Sequence, residues 1–478
     1  MHHHIVAGEP ASDAASSADR RVTPGPRGVL ASALNFMRMQ RDALAFLRRL
    51  DRGHPCDDLA PVRFVIAGQV LYLLRHPRHV HRLFRDPDGF PRTQTFTRQF
   101  RATLGYSLVT VSDVDEWKAA RRRTTRHFKG PALQRHGAGV NEVLRDHALP
   151  VLARKAARGE AVDVFGEMLD IASLAVFVNF CGDRRDEVPA DVYRRLNRIL
   201  CYLRRRTLSM AHRAIPPWLP TAANRQVHAD IERVHAYLAP RLARADGETM
   251  LGDVVRAHTD ASGRLDTLRV LQEMTSNLIG GSETTIILMA WALYFVMQHP
   301  AVEEALVAEI VDVVGDLVPT TEHLRDMPYL DAVVEETLRM RPPAYMTGRR
   351  VAQDTDLDGH RLSGGAIALV CQWISHHEPR LWPAPHRFRP ERFLKDHSGS
   401  EARPARPDET AYFPFGGGQY FCIGAQYAIN EAKLMLATLL RAFRFTPADP
   451  LAFRGVGVDA SLTLRPDRPI LVRVAPRA

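Results

Sequence analysis

The chain has 478 residues, with 64 Lys and Arg against 54 Asp and Glu, a formal net charge of +10. Charged residues at 25% and apolar ones at 45% are the proportions of a folded chain and exclude wholesale disorder. The longest unbroken apolar run, residues 286–297, is twelve residues long, short of the roughly 20 that a membrane-spanning helix needs. Residues 1–21 hold no apolar signal-peptide core, so the chain reads as cytoplasmic, with no membrane anchor. Cys56, Cys181, Cys201, Cys371 and Cys422 are scattered without a C-x-x-C pair, which argues against a disulfide framework or structural zinc. The positive balance leaves nucleic acid, an anionic membrane or an acidic protein as partner.

In chain order, residues 1–23 read as a flexible tail ending at Pro24-Gly25-Pro26, and the histidines at 2–4 belong to it. Two β-rich runs, 62–66 and 69–73, flank Ala67-Gly68 and predict a hairpin. Helical periodicity then dominates to about residue 300, broken by the prolines of 215–220. Residues 267–298 predict one helix long enough to cross the whole molecule. Past Met340 the chain turns β-like, with Pro342-Pro343, Asp358-Gly359 and Gly364-Gly365 as punctuation, and 396–408 reads as a polar loop. Length alone allows about three domains, yet no composition break marks a linker. The chain reads as mainly α, with a smaller β portion near both ends.

The densest signal is Phe413-Pro414-Phe415-Gly416-Gly417-Gly418-Gln419-Tyr420-Phe421-Cys422-Ile423-Gly424. So many glycines are costly to order, so something must need close approach of the backbone. Helical periodicity resumes at Ala425, placing Cys422 just before a helix N-terminus, where N–H groups and the helix dipole favour a thiolate. A lone thiolate without zinc partners suits haem iron. The loop resembles the haem-binding signature of the cytochrome P450 family, F-G-x-G-x-[R/H]-x-C-x-G. Phe415, Gly416, Gly418, Cys422 and Gly424 match it; Tyr420 stands where the family has Arg or His on a haem propionate. Because a charged donor bonds more strongly than a neutral one, Tyr420→Arg is expected to hold haem at least as well.

Four further segments resemble the same family in its order. Glu336-Thr337-Leu338-Arg339 and Pro390-Glu391-Arg392-Phe393 resemble its E-x-x-R helix and P-E-R-F segment, which implies a buried triad of Glu336, Arg339 and Arg392 locking the cysteine loop. Gly280-Gly281-Ser282-Glu283-Thr284-Thr285 resembles its [A/G]-G-x-[D/E]-T-T segment, making Glu283 and Thr284 an acid–alcohol pair that supplies protons during dioxygen activation. The paired glycines, costing about 1 kcal/mol each against Ala, read either as a packing notch or as a widened turn for dioxygen. Trp117 and Arg121, spaced as W-x-x-x-R, and Arg349 are the implied propionate donors, with Arg350 as a substitute for Arg349.

The resemblance implies a single P450 domain over residues 24–478, a helical prism with a small β-sheet region enclosing a buried haem b with a cysteine thiolate ligand. It implies a monooxygenase that uses O2 and electrons drawn ultimately from NAD(P)H through a separate acidic ferredoxin or flavodoxin-like carrier, acting as a monomer. Desaturation, epoxidation or oxidative coupling on the same scaffold stays open, as does a non-enzymatic haem-thiolate sensor. By family analogy Leu278, Gly280, Gly281, Tyr345, Met346 and Trp218 are expected to line an apolar pocket for a terpenoid, polyketide, fatty-acyl or macrocyclic compound of specialised metabolism. Lys118, Arg121, Arg122, Arg123, Arg126 and Lys129 crowd into 117–130 without an acid. That run reads as a steering patch for the electron donor, with no nucleic-acid-binding motif beside it.

Overall fold

The computed structural model describes residues 25, 28–54, 59–209, 212, 215–245, 247–394 and 411–477. The tail 1–23 and the polar loop 396–408 lie outside the described residues. Thr267–Gln298 forms one unbroken helix of 32 residues, about 48 Å at 1.5 Å per residue. Asp266 caps its start, accepting the Arg269 amide N–H. Every residue from Thr285 to Val296 is buried, which explains an apolar run without amphipathic spacing. This helix and Val164–Cys181 are long and apolar enough to cross a membrane by length and composition. Their most apolar windows are nonetheless 83% and 67% buried within the protein, so both are core helices.

The two core helices pack at a notch. A Cβ on Gly281 would stand 3.0 Å from the Phe180 ring and 3.3 Å from Val176, so the small residue lets them approach. A Cβ on Gly280 would meet nothing within 4 Å, because that position opens on a cavity. The helix runs through both glycines without a break. Pro328–Met340 and Ala425–Ala442 complete the wall around it.

Among the described residues, four small sheets sit at the margin of this helical body. Val62–Ile66 and Gln69–Leu74 form the expected hairpin, in register Val65 with Val70. Its turn residues Ala67 and Gly68 have φ of 48° and 79°, as a two-residue primed turn requires. Gln69–Leu74 also pairs in parallel with Ile367–Val370, which pairs antiparallel with Thr347–Arg350. Alternate residues of a strand face opposite sides: Thr347 and Arg349 turn into the protein's cavity and Arg350 is exposed. Near the C-terminus, Val458–Ala460 and Leu464–Pro466 form a hairpin against the central helix.

Candidate functional site

A cavity of about 420 Å³ lies between the cysteine loop and the middle of the central helix. On one wall the loop folds back on itself: the Cys422 amide donates to Phe415 O and the Gly416 amide to Phe413 O, both at 3.0 Å. Gly418 has φ 64°, and a Cβ there would fall 1.8 Å from the carbonyl oxygen of Phe84. That approach to the helix Pro77–Arg85 is what the glycines serve. Phe415, Gly416, Cys422 and Gly424 all line the cavity, and Gly424 caps the helix Ala425–Ala442. Cys422 is exposed to the cavity, yet desolvation by the protein packed around it pushes its thiol up, against the Gly424 amide and the Arg121 guanidinium, which favour the thiolate. The helix start therefore does not outweigh burial; a thiolate here calls for a cation bonded to it.

Across the cavity the central helix presents Ser276, Asn277, Gly280, Gly281 and Thr284. The Thr284 hydroxyl is 3.4 Å from Gly280 O, one helical turn back. Glu283 does not share this outlook. Its carboxylate is buried among the core and accepts from Arg465 Nε at 2.5 Å and from the Thr463 hydroxyl at 3.2 Å. Arg465 in turn donates to Asn197 Oδ1 at 3.2 Å. Successive helical residues point about 100° apart, so an acid and an alcohol side by side in sequence diverge here: Thr284 into the cavity, Glu283 toward the C-terminal hairpin.

One end of the cavity is cationic. Arg92, Arg121 and Arg349 all line it, with Trp117 and Tyr420. Arg121 reaches Phe421 O at 2.7 Å and Arg92 reaches Val109 O at 2.8 Å, but none of the three forms an ion pair among the described residues. Burial lowers the pKa of Arg92 and Arg121, and burial together with Arg92 pushes Arg349 down to about 10. Buried guanidiniums without a carboxylate are stabilised by an anion. Tyr420 lies between them, its ring 5.4 Å from the Arg92 guanidinium, 4.7 Å from that of Arg349 and 4.7 Å from the Trp117 ring. Arg92 was not singled out by the sequence: it follows Phe90-Pro91 in no recognisable spacing, and only its bridge to Arg349 in the sheet brings it here. A soft thiolate donor, an apolar slot and a cluster of unpaired guanidiniums together fit a haem, with Cys422 toward the iron and the arginines toward the propionates.

The loop is held from behind. Glu336 accepts from Arg339 Nε at 2.7 Å, from Arg339 Nη2 at 2.9 Å and from Arg392 Nε at 3.1 Å, and all three residues are buried. Arg339 also donates to His376 O at 2.7 Å, and His376 Nε2 accepts the Phe413 amide at 3.0 Å, where the loop begins. Burial and Arg339 hold the His376 pKa down to about 3, which keeps that nitrogen an acceptor. His376 is a further residue the sequence reading missed.

Of the six residues expected to line the pocket, only Gly280 and Gly281 do. Leu278 is fully buried in the core; the hydroxyl of Tyr345 is spent on Ala460 O and Ser461 O at 2.9 Å; Met346 packs beside the N-terminal helices; Trp218 is 77% exposed. The lining also includes Leu108 and Val109 from the segment before Trp117, Ala344 and Thr347 from the expected run 344–347, and Gln372.

The fold and this site define a haem-thiolate protein. A family model described as Cytochrome P450 matches residues 61–458. The cyclooctat-9-en-7-ol 5-monooxygenase of Streptomyces melanosporofaciens is 30% identical over 418 residues, covering 86% of this chain and 87% of the relative. Cyclooctatin synthase of the same organism is 26% identical over 437 residues, 89% and 90% of the two chains. Rat cytochrome P450 3A2 is 32% identical over 214 residues, 45% of this chain and 41% of its own. The chain belongs to the cytochrome P450 family and is a monooxygenase of that class; the family implies a haem with a cysteine thiolate ligand and O2 as co-substrate.

Proposed function

We propose that the protein inserts one oxygen atom of O2 into an apolar polycyclic small molecule of the terpenoid type, with Cys422 as the thiolate ligand. The observation that carries this is that Cys422 lines one cavity together with Gly280 and Thr284 of the central helix and with Arg92, Arg121 and Arg349. The haem, when bound, supplies the redox chemistry of dioxygen activation. Trp117, Arg92, Arg121 and Arg349 hold its carboxylate edge, and Tyr420 spaces two of those guanidiniums. Thr284 offers the hydroxyl through which a proton reaches the reacting oxygen. Glu283 acts one step back, fixing Arg465 and through it Asn197 of the helix Ala190–Leu208. The names of the two Streptomyces relatives, one an alcohol monooxygenase, support a terpenoid over the fatty-acyl, polyketide and macrocyclic alternatives. Incubation under isotopically labelled dioxygen with a terpenoid panel tests it: one labelled oxygen in the product is expected, and a desaturated or coupled product without label would overturn oxygen insertion.

We further propose a cytoplasmic, monomeric enzyme fed by an acidic ferredoxin or flavodoxin-like donor that draws on NAD(P)H. The basic run is narrower than its six charges imply. Arg123 is tied to buried Glu273 at 2.7 Å, Arg126 pairs with Asp253, and Arg121 faces the cavity. Lys118 is in a loose exposed pair with Asp115 at 3.9 Å, which leaves Arg122 and Lys129 for steering, so the electron-transfer rate should fall with added salt, but only modestly.

A further inference from the structure

A second cavity, of about 250 Å³, lies where the helix Ala43–Arg52, the end of Pro328–Met340 and the strand Val458–Ala460 meet. It shares no lining residue with the cavity beside Cys422. Leu44, Trp373 and Val458 give it apolar walls, and Arg48 and Arg341 line it together. The Arg48 guanidinium lies 4.6 Å from the Trp373 ring and forms no ion pair among the described residues. The Arg341 guanidinium lies 5.1 Å from the Trp291 ring and 5.5 Å from that of Phe295, both on the central helix. Among the described residues it donates one hydrogen bond, to Met340 O at 2.9 Å, and it too has no ion pair. Burial, with Arg48 and Arg339 nearby, pushes the Arg341 pKa down to about 10. The acid of this cavity is Asp42, an exposed residue whose carboxylate accepts the Ala45 amide at 2.8 Å as a helix cap. Two guanidiniums against one carboxylate leave a net charge of +1. A guanidinium withdrawn from water and answered by ring faces and one carbonyl costs free energy that an anion would return.

We propose that this second cavity binds the carboxylate of a small amphipathic acid, with its head on Arg48 and Arg341 and its tail along Leu44, Trp373 and Val458. The planar fork of an arginine matches a carboxylate, and apolar walls around a few fixed charges are what an amphipathic ligand needs. The net charge favours a monoanion. A phosphate monoester, carrying close to two charges at neutral pH, would meet Asp42 at greater cost. The site is separate from the oxidation site and does not depend on how that site is read.

The test is calorimetric titration of the haem-loaded protein with octanoate, with clotrimazole keeping the cavity beside Cys422 filled. Octanoate should bind once per chain. Octan-1-ol, octyl phosphate and inorganic phosphate should each bind about tenfold more weakly or worse, the size of one charge-assisted hydrogen bond. Arg341→Met should weaken octanoate by the same factor, and Arg48→Met, nearer the surface, keeps the test decisive if Arg341→Met does not fold. The reduced carbon monoxide spectrum should be unchanged in Arg48→Met. Equal affinity for octanoate and octan-1-ol would overturn the proposal, as would Arg48→Met binding octanoate as tightly as the unaltered chain. Octanoate binding that disappears with clotrimazole would place the acid in the haem cavity and overturn it too. Inorganic phosphate or octyl phosphate binding as tightly as octanoate would show an unselective anion site and contradict the carboxylate assignment.

Discussion

Two groups of arginines, one buried and one half-buried, differ in whether an acid answers them, and the difference separates scaffold from site. Around Glu336, two guanidiniums share one carboxylate and their remaining N–H groups find backbone carbonyls of residues 376–387. At the cavity, Arg92, Arg121 and Arg349 converge with no ion-pair partner among the described residues. A buried network that closes on itself specifies position; one that leaves its charge open awaits a ligand.

Breaking the closed network should have the largest effect. Glu336→Gln leaves two buried guanidiniums uncompensated, a loss of about 3–5 kcal/mol, read as a fall in the urea midpoint with and without haem. Next comes Glu431, whose buried carboxyl in the helix Ala425–Ala442 is pushed up to about 8 by burial, against the hydroxyls of Thr285 and Tyr427. A raised folded-state pKa gives stability that is full below the unfolded value near 4.5 and is lost as pH rises through about 8. The slope is at most about 1.4 kcal/mol per pH unit. Urea titrations between those limits should show it, and Glu431→Gln should flatten it.

The open network should respond in the opposite sense to the closed one. Arg349→Leu removes an unpaired buried cation, so the haem-free chain should be no less stable, while haem retention weakens by about 1.5–3 kcal/mol for the lost charged hydrogen bond. Haem transfer to apomyoglobin measures this, and an unaltered transfer rate would remove Arg349 from the propionate set. Smallest is Tyr420→Arg. Charge alone suggested that an arginine would serve at least as well there, but Arg92 and Arg349 already flank the ring. A third cation between them should leave haem retention no better and lower the stability of the haem-free chain by about 1 kcal/mol.

Much of the site was legible because its parts are local in sequence. The glycines of 416–418, Cys422, and the i, i+3 pair Glu336 and Arg339 sit in short runs whose composition is expensive without a reason, and the apolar stretch 286–297 announced the central helix. What was not legible depends on distant partners. Glu283 turns toward Arg465, 182 residues on, and nothing in G-G-S-E-T-T encodes that direction. Arg92 reaches the cavity through its isolated bridge to Arg349, and Gln372 opens the short helix that follows the strand 367–370, itself paired with 69–74 and 347–350. Trp218 was expected in the pocket by family analogy, whereas its Pro-Pro-Trp-Leu-Pro loop cannot be helical and stays on the surface.

As proposed, Cys422 would close the open site by bonding iron. The direct measurement is the spectrum of the dithionite-reduced carbon monoxide complex of the purified protein beside Cys422→Ser. The account predicts a strongly red-shifted thiolate-type Soret band in the unaltered chain and its absence in the variant; the same band in both would contradict it.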